Sequence, residues 1–287
     1  MAKVRVVTDS TVCLPRELVK RYEIGIVPLK FIYEEKVYRD GLDLSADEIY
    51  RILPEARRLP TTSSPAPGDY LEVMRRTGEG CTGLLVVTIS PKLSSMIEAA
   101  RSAADMLREE RKGVRVEVLD SGTAAGAEGL VALAAARAAQ AGGELDGVVA
   151  VARTVMAKVR LLACVDTLYY LAKGGRVPKA VAWANAVVKI KPILQIAPLS
   201  GEANVVKVVR TKAQAGDYLV KMVKDMAGSP AHVLAMHSAS RSEAEELAGR
   251  LRAEVGCSEV HVVDFTPGMG IHSGPGVLGV AFYGGDE

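Results

Sequence analysis

The chain has little of several features that mark common protein classes. Its 287 residues carry a net charge of +2, so it lacks the excess of basic residues that nucleic-acid binding requires. No run of about 18 apolar residues occurs, and we therefore expect no integral membrane segment. Asparagine occurs only at 185 and 204 and glutamine only at 140, 195 and 214, a scarcity of heat-labile amides typical of heat-adapted sources.

Metal ligands and paired thiols are also scarce. The four cysteines, Cys13, Cys81, Cys164 and Cys257, form no C-x-x-C pair, which favours structural thiols over disulfides or zinc. The four histidines show no metal-ligand spacing, so we assign neither a metal nor a cofactor. Met1–Asp9 has the pattern of a strand and not of a signal peptide. We therefore expect a cytoplasmic protein.

In the first half of the chain, short apolar strands alternate with amphipathic helices. The pattern predicts strands at Val4–Thr8, Leu84–Ile89 and Val114–Leu119, and helices at Ser95–Arg111 and Glu128–Ala141. Such alternation predicts a parallel, doubly wound sheet. Hydrophobic residues make up 49% of the chain, enough for a large buried core.

The second half is also α/β, but its sheet is predicted to be mixed. Strands predicted at Pro192–Ala197 and Val205–Thr211 flank a short turn near Gly201, which indicates a hairpin and hence antiparallel pairs. A helix is predicted at Ala182–Val188, and another at Gly147–Lys158 is expected to link the two halves.

The length suits two domains. We expect an N-terminal α/β domain over residues 1–158 with the parallel sheet. A C-terminal α/β domain over residues 159–287 should contain the mixed sheet.

Hydroxyl groups follow several of the predicted strands, where doubly wound sheets bind ligands. In the segment after Ile89, Ser95 and Glu98 have capping-box spacing, which would place Ser94 at a helix N-terminus. Free amides and the helix dipole favour an anion there. Four further hydroxyls lie at 61–64, between prolines. In both segments the alternative is that the hydroxyls only cap helices.

The segment Pro267–Gly276 is rich in glycine and proline and is predicted to be a loop. Glycines allow close approach of the backbone to a ligand and prolines stiffen the chain, while His272 supplies an imidazole. This combination favours an anion or a carboxylate. Gly274–Gly279 matches G-x-G-x-x-G, but a strand is predicted after it where a dinucleotide site needs a helix.

Taken together, these segments resemble the DegV family of bacterial fatty-acid-binding proteins. The resemblance covers almost the whole chain and is strongest at Asp166–Val177. It rests on the order and spacing of many pieces, including Val7–Thr11, Asp40-Gly41, Thr62–Tyr70, Ile89–Ser95, Asp120-Ser121, Ile190–Leu194, Val209–Thr211 and His272–Gly276.

The resemblance implies that a long-chain fatty acid lies between the two α/β domains, with its acyl chain in an apolar tunnel. By matching motif, the ligands of its carboxylate would be Thr62, Ser63, Ser94 and His272. The family pattern usually has Gln where Ser64 stands and Gly where Ser95 stands. We therefore expect the geometry around the carboxylate to differ while the fold stays the same.

The resemblance also implies a carrier that does no chemistry itself. Such a carrier presents the carboxylate to a separate fatty-acid kinase, which makes the acyl-phosphate. Arg176 and Arg210 match basic positions of the family, and we assign them to contact with the kinase or with phosphate. We expect a monomer.

Two other functions fit the residues. An acyl hydrolase or phosphotransferase could use His272 as base or phospho-acceptor, with Ser94 or Ser63 as nucleophile and Asp9 or Asp120 as the orienting group. The sequence contains neither a G-x-S-x-G elbow nor a G-x-x-x-x-G-K-[ST] loop. The remaining alternative is a regulatory module that senses a ligand other than a lipid.

Overall fold

The computed structural model describes residues 3–177, 190–228 and 230–285, and the predicted helix Ala182–Val188 lies outside them. The strands of this described part are β1 Val4–Asp9, β2 Gly25–Val27, β3 Lys30–Tyr33, β4 Lys36–Arg39, β5 Thr61–Ser63, β6 Gly83–Thr88, β7 Arg115–Asp120, β8 Arg160–Cys164, β9 Lys191–Ile196, β10 Ala203–Val209, β11 Ala231–His237, β12 Cys257–Asp264 and β13 Leu278–Gly284. Its helices are α1 Arg16–Arg21, α2 Ala46–Ile52, α3 Pro67–Thr77, α4 Met96–Glu110, α5 Ala125–Gln140, α6 Leu145–Lys158, α7 Tyr169–Gly174, α8 Lys212–Met226, α9 Arg241–Glu254 and α10 Pro267–Ser273.

The N-terminal sheet is parallel, as the sequence predicts. Its four strands lie in the order β2-β1-β6-β7, and each neighbouring pair is parallel. All six residues of β6 are buried, as expected where helices cover both faces of a parallel sheet. The carboxyl ends of β1, β6 and β7 therefore meet at one edge, where Ser10, Ile89 and Ser121 begin the following loops.

The C-terminal sheet is mixed, which confirms the second part of the predicted fold class. Its six strands lie in the order β10-β9-β8-β13-β11-β12. The pair β11–β12 is parallel and the other four pairs are antiparallel. The predicted hairpin is β9–β10, in which Ile196 pairs with Ala203.

A third, small sheet lies beside these two. Its order is β4-β3-β5, and both pairs are antiparallel. Strand β5, which the sequence pattern did not predict, pairs Thr62 with Phe31. The side chains of β5 alternate, so Thr62 is half-buried while Thr61 and Ser63 are exposed.

Helix α5 lies between the two large sheets. It contacts β1 of the parallel sheet and β13 of the mixed sheet, and most of its residues are alanine or glycine and are buried. At Gly126 an added Cβ atom would lie 2.6 Å from the sulfur of Met236 and 3.1 Å from Cβ of Ala281, so the small residues let the backbone approach the second sheet. One cluster of buried apolar residues includes residues of both large sheets, and a second cluster packs against the mixed sheet. The domain boundary after residue 158 therefore stays a prediction.

Two local predictions were wrong. The segment Pro267–Ser273 is the helix α10 and not a loop, and strand β13 follows it after a short turn. Ser95 is the N-cap residue of α4, but its side chain makes no capping hydrogen bond, so the predicted Ser95–Glu98 capping box is absent. The Ser95 hydroxyl lies instead 3.0 Å from the Ser64 hydroxyl.

Candidate functional site

A cavity of about 360 Å³ lies between the parallel sheet and the mixed sheet. Ile89 and Leu93, which follow β6, line one side. Alternate residues of two mixed-sheet strands form the opposite wall, with Leu161 and Ala163 from β8 and Leu194 and Ile196 from β9. Most of the lining is apolar, so the cavity suits a hydrocarbon chain.

Polar side chains cluster at one part of this lining. The hydroxyls of Thr62, Ser64, Ser94 and Ser95 and the imidazole of His272 all line the cavity. Three contacts connect them. Thr62 Oγ1 lies 2.8 Å from His272 Nε2, and Ser64 Oγ lies 3.3 Å from Ser94 Oγ and 3.0 Å from Ser95 Oγ. Three separate segments thus converge, namely β5 with the residue after it, the start of α4, and the last turn of α10.

The sequence of α10 explains how His272 reaches this position. Pro267 occupies the first turn, where its missing N–H leaves no donor unsatisfied. Two glycines let the helix lie close to its neighbours, since a Cβ atom at Gly268 would meet Leu29 and one at Gly270 would meet Tyr50. The helix is thus short but buried, and its last turn presents His272 to the cavity.

The imidazole of His272 is held neutral. Burial, and then the nearby Arg176 guanidinium, lower its pKa to about 4. Its Nδ1 is buried and has no hydrogen-bond partner among the described residues, while Nε2 contacts Thr62. At neutral pH one ring nitrogen can therefore donate a hydrogen bond and the other can accept one, but the ring adds no positive charge.

The structure brings together three of the four residues that the resemblance assigns to a carboxylate. Thr62, Ser94 and His272 line the cavity, but Ser63 does not. Ser63 is exposed on the other face of β5, and its hydroxyl lies 3.5 Å from the carbonyl oxygen of Ser64. The cavity receives Ser64 instead, one of the four hydroxyls at 61–64 and a position where this chain departs from the family pattern.

The two arginines assigned to a partner or to phosphate lie in different places. Arg176 lines the cavity and is exposed, and its guanidinium donates a hydrogen bond to the carbonyl oxygen of Gly174 at 2.6 Å. Arg210 does not line the cavity. It is exposed after β10, and its backbone N–H donates to the side chain of Gln214 at 2.9 Å.

The two aspartates considered for a catalytic triad bond elsewhere. Asp9 accepts hydrogen bonds from the backbone of Thr11 at 3.0 Å and of Ile89 at 3.1 Å. Asp120 accepts one from the backbone of Gly122 at 2.7 Å. Since His272 Nδ1 has no partner in the described part of the chain, no carboxylate orients the imidazole there as in a triad.

A buried acid pair lies next to the cavity, and sequence reasoning missed it. Thr11 lines the cavity, and its hydroxyl lies 2.5 Å from Asp9 Oδ1 and 2.9 Å from Glu128 Oε2. Both carboxyls are fully buried, and burial raises the pKa of each. The Thr11 hydroxyl has one proton to share between the two carboxyls, and their burial favours the protonated form of each.

Over residues 3–177, 190–228 and 230–285, none of the helices has the length and apolar content needed to cross a bilayer. Within the same ranges, no three His, Cys, Asp or Glu side chains are grouped so that they could bind a metal ion.

The family model described as "Uncharacterised protein, DegV family" matches residues 3–284. The chain belongs to the DegV family. A DegV domain-containing protein of Streptomyces coelicolor is 36% identical over 280 residues, covering 96% of this chain and 97% of that relative. This confirms the family to which the sequence motifs pointed.

Solved DegV structures share the fold. One is a DegV family protein of Thermus thermophilus that is described as binding a fatty acid. It matches with a TM-score of 0.89 at 27% identity, over 98% of this chain and 99% of that one. DegV of Bacillus subtilis, described as a fatty acid binding protein, matches with a TM-score of 0.84 at 26% identity over 98% and 99% of the two chains.

Proposed function

We propose that this DegV family protein binds a long-chain fatty acid, with its acyl chain in the cavity and its carboxylate at Thr62, Ser94 and His272. The observation that carries the proposal is the 2.8 Å contact between Thr62 and His272 in the lining of an otherwise largely apolar cavity. The fatty-acid binding for which the Thermus thermophilus and Bacillus subtilis proteins are described supports the same ligand class.

The hydrocarbon supplies most of the binding free energy. Each buried CH₂ group contributes roughly 0.8 kcal/mol, so a chain of about 16 carbons offers on the order of 10 kcal/mol before ordering costs. Burial of the carboxylate opposes binding unless its oxygens are hydrogen-bonded. The hydroxyls of Thr62 and Ser94 are suited to supply those bonds, and the imidazole of His272 orients the Thr62 hydroxyl.

Neutral donors at the carboxylate site would leave the bound ligand anionic. With His272 Nε2 donating to Thr62 Oγ1, the Thr62 hydroxyl is free to donate to a carboxylate oxygen, and Ser94 can donate to the other. The pKa of His272, lowered to about 4, keeps the ring neutral at physiological pH. The oxygens then keep the negative charge that a phosphoryl acceptor needs.

We further propose that the protein is a monomeric carrier that presents this carboxylate to a separate fatty-acid kinase. The absence of a G-x-x-x-x-G-K-[ST] loop from the sequence supports a separate source of nucleotide chemistry. Arg176, exposed in the cavity lining, and Arg210, exposed after β10, are proposed to contact the kinase or the transferred phosphate. No catalytic role is assigned to the carrier.

Lipid analysis tests the ligand directly. Protein purified from a bacterial host should release about one fatty acid per chain on denaturing extraction, measured by mass spectrometry. Purified, delipidated protein should bind palmitate or oleate in a displacement assay, and His272→Ala should weaken that binding roughly ten- to a hundredfold. Extracts without fatty acid, combined with no binding of either added acid, would contradict the proposal.

A further inference from the structure

One buried carboxylate lies behind the carboxylate site rather than in it. Asp40 is 2% exposed and does not line the cavity. Its Oδ2 accepts a hydrogen bond from the Ser10 hydroxyl at 2.6 Å, and its Oδ1 accepts one from the backbone N–H of Gly268 at 2.8 Å. Asp40 therefore connects the segment after β1 with the start of the helix that carries His272.

Asp40 takes the place of a capping side chain for that helix. The N-cap residue of α10, Thr266, makes no side-chain capping bond, and Pro267 has no N–H. Gly268 supplies the first amide that needs an acceptor, and Asp40 provides it from far along the chain. A Cβ atom at Gly268 would lie 3.0 Å from Asp40 Oδ2, so glycine permits this close approach.

Asp40 is also fixed to the sheet that carries Thr62. It directly follows β4, and its backbone N–H donates to the carbonyl oxygen of Leu29 at 2.8 Å. Strand β4 pairs with β3, and β3 pairs with β5, which positions Thr62 opposite Phe31. Thr62 through the sheet and His272 through its helix are therefore both connected to Asp40.

We propose that Asp40 is the positioning residue of the carboxylate site, fixing the start of α10 relative to the sheet β4-β3-β5 and thereby holding His272 Nε2 against Thr62. The role rests on the proposed fatty-acid function. Asp40 touches neither His272 nor the cavity, so it acts through the helix and not on the ligand.

The charged form of Asp40 is the form that suits this role. The Ser10 hydroxyl and the Gly268 amide both donate to it, and a carboxylate offers an acceptor oxygen to each. Burial raises the pKa of Asp40 to about 6, partly opposed by the Ser10 and Gly268 hydrogen bonds. Protonation below that pH turns one oxygen into a donor and weakens one of the two connections.

Other titratable groups surround Asp40. Asp9 lies at the end of β1 and interacts electrostatically with Asp40, and it belongs to the acid pair with Glu128. Cys13, after β1, and Tyr50, on α2, are buried with raised pKa values, so both stay neutral below pH 8. The carboxylate of Asp264, at the end of β12, helps to raise the pKa values of Cys13 and Tyr50 through its negative charge. A pH dependence that belongs to Asp40 must therefore disappear in Asp40→Asn.

The test compares two ligands that share an acyl chain but differ in the head group. Myristate has a carboxylate for Thr62 and His272 to bind, and tetradecanol has none. Asp40→Ala should lower the affinity for myristate about tenfold, as expected when one hydrogen bond to the carboxylate is lost, and change that for tetradecanol less than about twofold. The matched control is Asp43→Ala, whose exposed carboxylate bonds Arg39 on the same segment and should leave both affinities unchanged.

Asp40→Asn is the conservative variant and guards against misfolding of Asp40→Ala. The affinity of the wild-type protein for myristate should decrease as the pH is lowered from 7.5 to 5.5. Asp40→Asn should show the lower affinity at both pH values. Since burial raises the Asp40 pKa, ionisation opposes folding, and Asp40→Asn should unfold at the same or a higher temperature.

The outcomes separate this inference from the proposed function. Equal loss of myristate and tetradecanol affinity, no loss of either, or an unchanged pH profile in Asp40→Asn would each overturn the positioning role. If wild-type protein fails to prefer myristate over tetradecanol, the carboxylate site itself is wrong.

Discussion

Gly174 packs directly against the ring of His272. A Cβ atom built at Gly174 would lie 2.4 Å from His272 Nδ1, far inside van der Waals contact. The glycine therefore sets how deeply the imidazole sits, and its backbone carbonyl accepts the Arg176 guanidinium on the other side. Helix α7 and helix α10 meet at this contact.

Gly174→Ala should consequently displace the imidazole from its position against Thr62. We expect the affinity for palmitate to fall about tenfold, as for one lost hydrogen bond at a charged head group. Displacement of a fluorescent fatty acid measures the effect. Gly147→Ala on α6 is the control, because a Cβ there meets nothing within 4 Å. Unchanged palmitate affinity in Gly174→Ala would show that the observed ring position does not matter for binding.

Ser63 and Ser64 provide a matched pair on neighbouring positions. Ser64 lines the cavity and contacts Ser94 and Ser95, whereas Ser63 faces outward. Ser64→Ala should weaken palmitate binding roughly two- to tenfold, as for one neutral hydrogen bond, and Ser63→Ala should leave it unchanged. Isothermal titration of the two variants decides the matter. The reverse order of effects would mean that the carboxylate binds the outer face of β5.

The acid pair of Asp9 and Glu128 should make stability depend on pH. Burial raises the pKa of Glu128, so the folded state holds a proton that the unfolded chain releases near its ordinary pKa. Its contribution is present at low pH and lost as the pH rises through the raised pKa. Glu128→Gln keeps the shape of the side chain without its charge. In this variant the urea midpoint should increase less on acidification than in the wild type.

Glu246→Gln is the control for that experiment, since Glu246 is exposed on α9. Its urea midpoints should follow those of the wild type at every pH between 5 and 8. If Glu128→Gln also follows the wild type, then Glu128 does not hold a proton in the folded protein.

Arg176 and Arg210 should matter for transfer and not for lipid affinity. Their fixed positive charges suit a transferred phosphate or an acidic partner surface. With ATP, magnesium, oleate and a cognate kinase, Arg176→Ala and Arg210→Ala should each slow acyl-phosphate formation while oleate affinity holds. Without the kinase, the wild-type protein should form none. Acyl-phosphate formed by the protein alone would make it an enzyme. If both variants transfer at the wild-type rate, the arginines do not contact the kinase or the phosphate.

The two large sheets were predictable because their signals are local. A buried parallel strand such as β6 is a continuous apolar run, and the hairpin β9–β10 is marked by the turn at Gly201. Helix α10 was not predictable, because proline and glycine at Pro267, Gly268 and Gly270 normally indicate a loop. Its tertiary contacts, such as the Gly268–Asp40 hydrogen bond and the close packing of Gly270 on Tyr50, are not encoded in the local sequence.

Part of the candidate site was predictable from the order of the motifs along the chain. Motif order located Thr62, Ser94 and His272, which the cavity brings together. The resemblance assigned Ser63 to the carboxylate, whereas Ser64 lines the cavity, because the facing of a three-residue strand depends on its register with β3. The acid pair was missed because Glu128 lies in an alanine-rich helix more than a hundred residues from Asp9, and only the fold makes them neighbours.

Helix α5 determines how the chain should unfold. With buried alanines and glycines turned toward strands of both large sheets, it belongs to neither half alone. A fragment ending at residue 158 would leave the surface around Gly126 facing water where Met236 and Ala281 now lie. Unfolding of either sheet would thus expose one face of α5 to water, so the whole molecule should melt as one cooperative unit, with a single calorimetric peak.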